Sequence, residues 1–224
     1  MPWIVECQIM KENDVRFIKL LILVNGAIPL ALLIWDQSHN RLGANPQNFL
    51  ILTTGMMTLV FLMLTMAVTP LRKVTGWNWL IQFRRMLGLY AFFYGCLHFL
   101  CFFSLDRAFS VGGTLTEMLK RKYLIVGSTA LLVMVPLAIT STNGMIKRLG
   151  GKRWRALHRL AYLAALCGVI HYYMQVKADT RQPLVFGAVL AILLGYRLLV
   201  YWQQRKPPAA TPAAKPKVAA KNMP

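Results

Sequence analysis

The composition of this 224-residue chain is that of a membrane protein and excludes an ordinary soluble domain. Apolar residues make up 57% of the sequence and charged residues only 15%, whereas soluble domains carry about 25% charged residues. The formal charge of +19 could suggest nucleic-acid binding, but the basic residues are spread over separate loops and form no single basic domain. We therefore expect no nucleic-acid partner, and we expect these residues to face anionic lipid headgroups of the bilayer.

Six apolar runs are long enough to cross a bilayer, which takes about 20 residues of helix. Because backbone polar groups in lipid must be satisfied within the segment, each run predicts a helix. The fold class expected is therefore all-α, an integral membrane bundle of six transmembrane helices. The predicted helices are approximately Phe17 to Trp35, Phe49 to Thr69, Phe83 to Phe103, Tyr123 to Thr140, Ala156 to Gln175 and Leu184 to Trp202.

The distribution of lysine and arginine predicts the orientation, since loops rich in them stay cytoplasmic. With the amino terminus inside, the inside segments hold sixteen basic residues and the outside loops hold seven. Both termini are therefore expected in the cytoplasm. One outside loop departs from the rule, because it holds four basic residues before Tyr123, namely Arg107, Lys120, Arg121 and Lys122.

These features divide the chain into three parts. We expect a cytoplasmic amino-terminal segment over residues 1–16, the six-helix transmembrane domain over residues 17–202, and a disordered basic cytoplasmic tail over residues 203–224. The tail is rich in proline, alanine and lysine and has no apolar periodicity. The four cysteines form no CxxC or cysteine–histidine cluster, which favours simple packing.

Three of the four histidines fall within predicted transmembrane helices, where an ionisable residue is costly and indicates function. His98 lies 15 residues after Phe83, and His171 lies 15 residues after Ala156. Both helices start at a cytoplasmic loop, so each histidine lies about 22 Å from its cytoplasmic end. Two neutral imidazoles from separate helices at one height are what axial ligation of a haem iron requires. The alternative for each is a neutral histidine bonded to a neighbouring helix.

Small residues near both histidines agree with a flat cofactor between these helices. Gly88 and Gly95 precede His98, and Ala164 and Gly168 precede His171. Small side chains would let a macrocycle approach the backbone, although they also allow close packing of membrane helices.

His158 lies at the cytoplasmic end of the fifth predicted helix. On one continuous helix it would be about 20 Å from His171 and rotated from it by about 140°, so the two are not expected to face one pocket. The matching height on the third helix holds Arg84 and Arg85. These arginines could bind a haem propionate or a flavin phosphate, or they could merely reach toward the membrane interface.

Three stretches resemble the MsrQ family, formerly called YedZ, within the ferric-reductase-like transmembrane proteins. They read RRMLGLYAFFYGCLHFL from Arg84 to Leu100, TSTNGMIKRLGGKRWRALHRLAYLAALCGVIHYYM from Thr140 to Met174, and VTPLRK from Val68 to Lys73. The similarity extends from the first through the sixth predicted helix. The charged amino-terminal segment and the polar carboxy-terminal tail do not share this similarity.

The resemblance implies a haem-binding membrane subunit of a bacterial methionine-sulfoxide reductase system, in the inner membrane. Such a subunit accepts electrons from a cytoplasmic flavin reductase that uses NAD(P)H. It passes them through one or two b-type haems, with FMN as a further cofactor, to a periplasmic molybdopterin subunit that repairs oxidised envelope proteins. The histidines associated with metal and cofactor map onto His98, His158 and His171. No substrate bond is expected to be made or broken within this chain.

Two other functions remain open from the sequence. A transmembrane ferric reductase or another cytochrome b would share the histidine pair, but we expect no attached nicotinamide- and flavin-binding domain from this sequence. A non-redox transporter or scaffold would use its histidines structurally and would be colourless. The predicted helices contain no acidic residue, which disfavours a transporter.

Overall fold

The computed structural model describes residues 12–205, which are helical apart from short connections. The predicted tail over residues 203–224 and most of the lead-in over residues 1–16 therefore lie outside the described residues. Two short helical turns flank the third α-helix, a 3₁₀ turn at Asn78–Gln82 before it and a π-helical turn at Phe102–Asp106 after it. The α-helices are α1 Glu12–Ser38, α2 Pro46–Thr75, α3 Arg84–Cys101, α4 Val111–Lys120, α5 Lys122–Ile139, α6 Asn143–Leu149, α7 Gly151–Leu157, α8 Leu160–Gln175 and α9 Arg181–Arg205.

Helix length and surface confirm an all-α, multi-pass membrane protein. By length and composition, five described segments could cross a membrane: Glu12–Ser38, Pro46–Thr75, Asn78–Asp106, Lys122–Ile139 and Arg181–Gln203. Large apolar side chains point outward along them, with Leu132 69% and Ile192 71% exposed, a surface that suits lipid and not water. Helix α8 has 16 residues, fewer than the about 20 of a full span. The sixth span and the side of the termini stay predictions.

The fifth predicted run differs from expectation, because it is not one helix. Helix α7 ends at Leu157 and α8 begins at Leu160. Between them the chain turns through two short-range hydrogen bonds, from Ala161 N to His158 O at 3.4 Å and from Tyr162 N to Arg159 O at 3.0 Å. The rotation of about 140° expected between His158 and His171 assumed an uninterrupted helix and therefore does not apply.

The core is built from two helix pairs, α2 against α3 and α5 against α8. Small residues are buried where these helices meet, with Ala91 of α3 and Ala165 of α8 both 0% exposed. Large side chains of α2, such as Leu62 and Met66, fill the space between the pairs. Close approach of small residues is the usual packing mode of membrane helices, and here it brings α3 and α8 to the centre of the bundle.

Helix α1 is attached to α3 by two tyrosine hydroxyl groups. Tyr90 donates to the carbonyl oxygen of Leu23 at 2.5 Å, and Tyr94 donates to that of Gly26 at 2.7 Å. A Cβ at Gly26 would lie 2.5 Å from Tyr90 Cζ, so only glycine allows this approach. Tyr94 is fully buried, and its bond removes the penalty of a buried hydroxyl.

Candidate functional site

His98 of α3 and His171 of α8 lie side by side at the centre of the bundle. Their ring centroids are 6.1 Å apart, and the ring planes are inclined by 79°. With a metal–nitrogen bond of about 2.0 Å and ring bonds of about 1.33 Å, two imidazoles on opposite sides of one metal ion have centroids about 6 Å apart. The inclination is compatible with this, because each ring can rotate about its own metal–nitrogen bond. The juxtaposition expected from the sequence is therefore present.

Both imidazoles are held by backbone carbonyl groups of neighbouring helices. His98 Nδ1 lies 2.8 Å from Ile51 O of α2, and His171 Nδ1 lies 2.7 Å from Tyr123 O of α5. A carbonyl oxygen only accepts, so Nδ1 carries the proton in each ring. In the neutral imidazole Nε2 then keeps its lone pair, the arrangement typical of histidines that ligate a metal.

Two glycines make room for these rings. A Cβ at Gly127 of α5 would lie 2.6 Å from His171 Nδ1, and one at Gly55 of α2 would lie 3.0 Å from His98 Nδ1. A Cβ contact as short as that at Gly127 essentially never occurs, and the contact at Gly55 would be tighter than most real Cβ contacts. The sequence analysis missed both glycines, because they lie more than 40 residues from the histidines that they accommodate.

The two histidines line a cavity of about 360 Å³ between α2, α3, α5 and α8, within the size range of cofactor pockets. Its inner wall is mainly apolar and small, with Leu59, Leu62, Gly95, Ala164 and Gly168 among the lining residues. Of the four small residues noted in the sequence, Gly95, Ala164 and Gly168 therefore lie where expected. Gly88 does not, since a Cβ there would instead meet Thr65 of α2 at 3.6 Å.

The charged lining of the cavity gathers at one end, where α3 finishes and α5 begins. Asp106, Arg107, Glu117 and Arg121 contribute to the lining there. The pocket thus combines an apolar interior, two imidazoles and a charged end.

The opposite end of the bundle holds His158, Arg84 and Arg85. The His158 ring stacks on Trp154 at a centroid distance of 4.0 Å, and its Nε2 lies 3.1 Å from Thr140 Oγ1. It does not line the cavity of His98 and His171. Arg84 and Arg85 are close enough for their charges to act on His158, so these three residues share one end, as the sequence suggested.

Arg197 of α9 joins this basic end and was not singled out from the sequence. Its Nη1 donates to Tyr162 OH at 2.6 Å and its Nη2 to Met66 O at 2.8 Å. Its Nε is buried and has no hydrogen-bond partner among the described residues. The charges of Arg84 and Arg197 act on each other, and within residues 12–205 neither forms an ion pair with a carboxylate.

Comparison with known proteins matches this architecture to a family. The family described as "Ferric reductase like transmembrane component" matches residues 51–169. Three relatives carry the name "Protein-methionine-sulfoxide reductase heme-binding subunit MsrQ". The protein of Herminiimonas arsenicoxydans is 48% identical over 194 residues, covering 86% of this chain and 89% of its own. That of Ralstonia nicotianae is 42% identical (91% and 95% covered), and that of Rhodospirillum rubrum is 44% identical (88% and 95% covered).

The chain belongs to the MsrQ family. The resemblance drawn from the sequence motifs is thereby confirmed. In this chain the stretch matched by the wider ferric-reductase family holds most of α2, all of α3 to α7 and part of α8. It includes His98 and His158, while His171 follows two residues after its end.

Proposed function

We propose that the chain is the haem b subunit of a methionine-sulfoxide reductase system and carries electrons across the bacterial inner membrane. In this proposal the electrons come from a cytoplasmic flavin reductase that uses NAD(P)H. They go to a periplasmic molybdopterin methionine-sulfoxide reductase that repairs oxidised envelope proteins. Support comes from membership of the MsrQ family and from relatives named as haem-binding subunits.

The observation that carries the proposal is the pairing of His98 and His171. Each ring presents Nε2 with a free lone pair, because Nδ1 donates to a backbone carbonyl. The centroid separation of 6.1 Å is close to the about 6 Å expected for two imidazoles that hold one metal ion. In this proposal His98 and His171 would hold the haem iron.

The residues around the pair also fit a macrocycle. Glycine or alanine at positions 55, 95, 127, 164 and 168 leaves space along α2, α3, α5 and α8 between larger apolar side chains such as Leu59 and Met134. A bound haem would supply one-electron redox chemistry. The chain itself would fix the ligand orientation, exclude water from the apolar interior and tune the redox potential through burial.

At the other end, Arg84, Arg85 and His158 are proposed to form the entry side for electrons. This end holds one histidine and several arginines, so it suits an anionic group better than a second bis-histidine haem. The phosphate of FMN is one such group, and the buried Nε of Arg197 offers a further donor. We therefore propose one haem at His98 and His171, with His158 in the FMN-binding end.

The test is the visible absorption spectrum of the detergent-purified protein, oxidised and dithionite-reduced. Wild type should show b-type bands. His98→Ala and His171→Ala should each abolish or strongly alter them, because each removes one imidazole that would hold the iron. His158→Ala should keep the bands if this site holds the only haem, and should lower the FMN content instead.

His39→Ala is the matched control. His39 is exposed at the end of α1, where its ring stacks on Trp35 and lies away from the cavity lining. Its replacement should leave the spectrum unchanged. A colourless wild type, even after haem supplementation, would overturn the proposal and favour a transporter or scaffold.

A transmembrane ferric reductase is the second candidate, because the matching family model is described as ferric-reductase-like. The two functions differ in the final acceptor. Reduced protein in proteoliposomes should be reoxidised by the molybdopterin subunit with methionine sulfoxide if the first proposal holds. Reoxidation by ferric chelates alone would favour the second.

A further inference from the structure

We propose that Arg107 and Arg121 bind the carboxylate groups of the cofactor in the His98–His171 cavity. For haem b these carboxylates are its two propionates. The inference rests on the proposed haem function and deepens it. It assigns a binding role to the basic loop that departs from the orientation rule in the sequence.

The first argument is the shape and polarity of the cavity. Both imidazoles line a cavity whose wall is mainly apolar, and Arg107 and Arg121 line its charged end, with Tyr123 in contact with both Arg121 and His171. An amphipathic ligand with an apolar ring system and two anionic groups can place its anions at only one end of such a space without burying an unpaired charge. The guanidinium groups are the complementary partners at that end.

A tight turn between α3 and α4 brings these arginines together. Ala108 and Phe109 adopt left-handed backbone conformations, with φ of 46° and 60°, which non-glycine residues adopt rarely. This turn leads into α4, which packs against α5. Glu117 of α4 then pairs with Arg107 at 3.5 Å and also with Arg121.

The two guanidinium groups keep N–H donors beyond those used within the chain. Arg107 donates from Nε to Asp106 at 2.8 Å and its Nη2 lies 2.6 Å from the same carboxylate, while its Nη1 lies 3.5 Å from Glu117. Arg121 donates from Nη1 to Tyr123 OH at 3.3 Å. Nη2 of Arg121 has no partner among the residues described. Glu117, whose side chain is only 15% exposed, thus orients both arginines while leaving N–H groups for a ligand.

Binding of haemin and haemin dimethyl ester to the full-length protein, purified from haem-depleted cells, tests the proposal. The ester keeps the ring and iron but loses both charges. Wild type should bind haemin about tenfold to a hundredfold more tightly than the ester, as expected for losing charge-assisted hydrogen bonds. In Arg107→Gln with Arg121→Gln this preference should nearly vanish. Arg181→Gln, an exposed arginine paired with Asp179, is the control and should keep it.

A second readout separates ligand binding from a structural role. In the haem-loaded protein, Arg107→Gln or Arg121→Gln should lower the midpoint potential, because removing a positive charge stabilises the oxidised iron. Glu117→Gln should raise it and keep the preference for haemin. Arg107→Lys and Arg121→Lys keep the charge and should leave the potential close to that of wild type. If these substitutions acted only by loosening the packing, the midpoint potentials of the Arg107 and Glu117 variants would shift in the same direction.

The outcomes are distinct for the two proposals. If wild type binds neither haemin nor the ester, the haem function fails, and this inference fails with it. If wild type binds both equally, or if the double variant keeps the preference for haemin, the haem function stands and the assignment of Arg107 and Arg121 is wrong.

Discussion

His98 and His171 differ from the other two histidines in what their rings contact. Their Nδ1 atoms reach carbonyl groups of other helices, whereas His39 contacts Trp35 O, only four residues earlier in the chain, at 2.9 Å, and His158 contacts the hydroxyl of Thr140. Counting residues from the helix starts predicted the juxtaposition of the pair. It could not predict the partners Ile51 and Tyr123, because a contact between distant helices leaves no local pattern in the sequence.

Substitution of the glycines behind the rings should reduce cofactor binding in proportion to the clash. Gly127→Ala should lower the haem content most, since the new Cβ would lie 2.6 Å from His171 Nδ1 and push the ring away from Tyr123 O. Gly55→Ala, with a distance of 3.0 Å to His98, should have a smaller effect. Haem content per protein, measured as the pyridine haemochrome, gives the comparison.

Gly195→Ala on α9 provides the control for this series. No atom lies within 4 Å of its added Cβ, and alanine favours a helix over glycine by about 1 kcal/mol. Its haem content should equal that of wild type. Equal haem content in the Gly127→Ala protein would show that the ring position is not needed for binding.

At the scale of helices, hydropathy predicted the long elements and missed the short ones. Runs of about 20 apolar residues can only be helices in lipid, so α1, α2, α3, α5 and α9 follow directly. Helices α4 and α6 have no such run, although their N-caps are readable in the sequence. Ser110 accepts from Gly113 N, and Thr142 accepts from Met145 N, as capping residues do. The turn at His158 and Arg159 could not be predicted, because it contains no glycine or proline.

The two tyrosine hydroxyls that attach α1 should contribute to stability but not to cofactor binding. Tyr94→Phe should lower the unfolding free energy by about 0.5–1.5 kcal/mol, the net value of a typical hydrogen bond. No residue of α1 lines the cavity, so the absorption spectrum should stay that of wild type. Thermal unfolding in detergent, followed by circular dichroism and absorbance, measures both properties, and a lost haem spectrum would contradict the separation.

Arg197 ties three helices together at the basic end, through Tyr162 of α8, Met66 of α2 and its own α9. Arg197→Lys keeps the charge but cannot make both contacts, so it should destabilise the protein by about 1.5–3 kcal/mol, the value of a hydrogen bond to a charged group. If Nε also holds the FMN phosphate, flavin content should fall in this variant. Arg181→Lys, at the exposed first position of α9, is the matched control.

For the whole molecule, the decisive prediction concerns whether α8 crosses the membrane. In a chain whose native cysteines are replaced by alanine, Lys147→Cys should react with an impermeant thiol reagent only after the cytoplasmic face is opened. Lys177→Cys should react in intact spheroplasts. The two positions flank α7 and α8, so their opposite labelling would establish the sixth span, and labelling from one side would rule it out.

The attachment of α1 has a consequence for divergence within the family. Tyr90 and Tyr94 contact main-chain oxygens of α1, which every amino acid supplies, and only position 26 is restricted by the ring pressed against it. Amino-acid substitutions at most α1 positions should therefore be tolerated so long as the new side chains are apolar. Orthologues should vary freely along this helix while retaining a glycine opposite the first tyrosine, and α1 taken from a distant orthologue should graft onto this bundle.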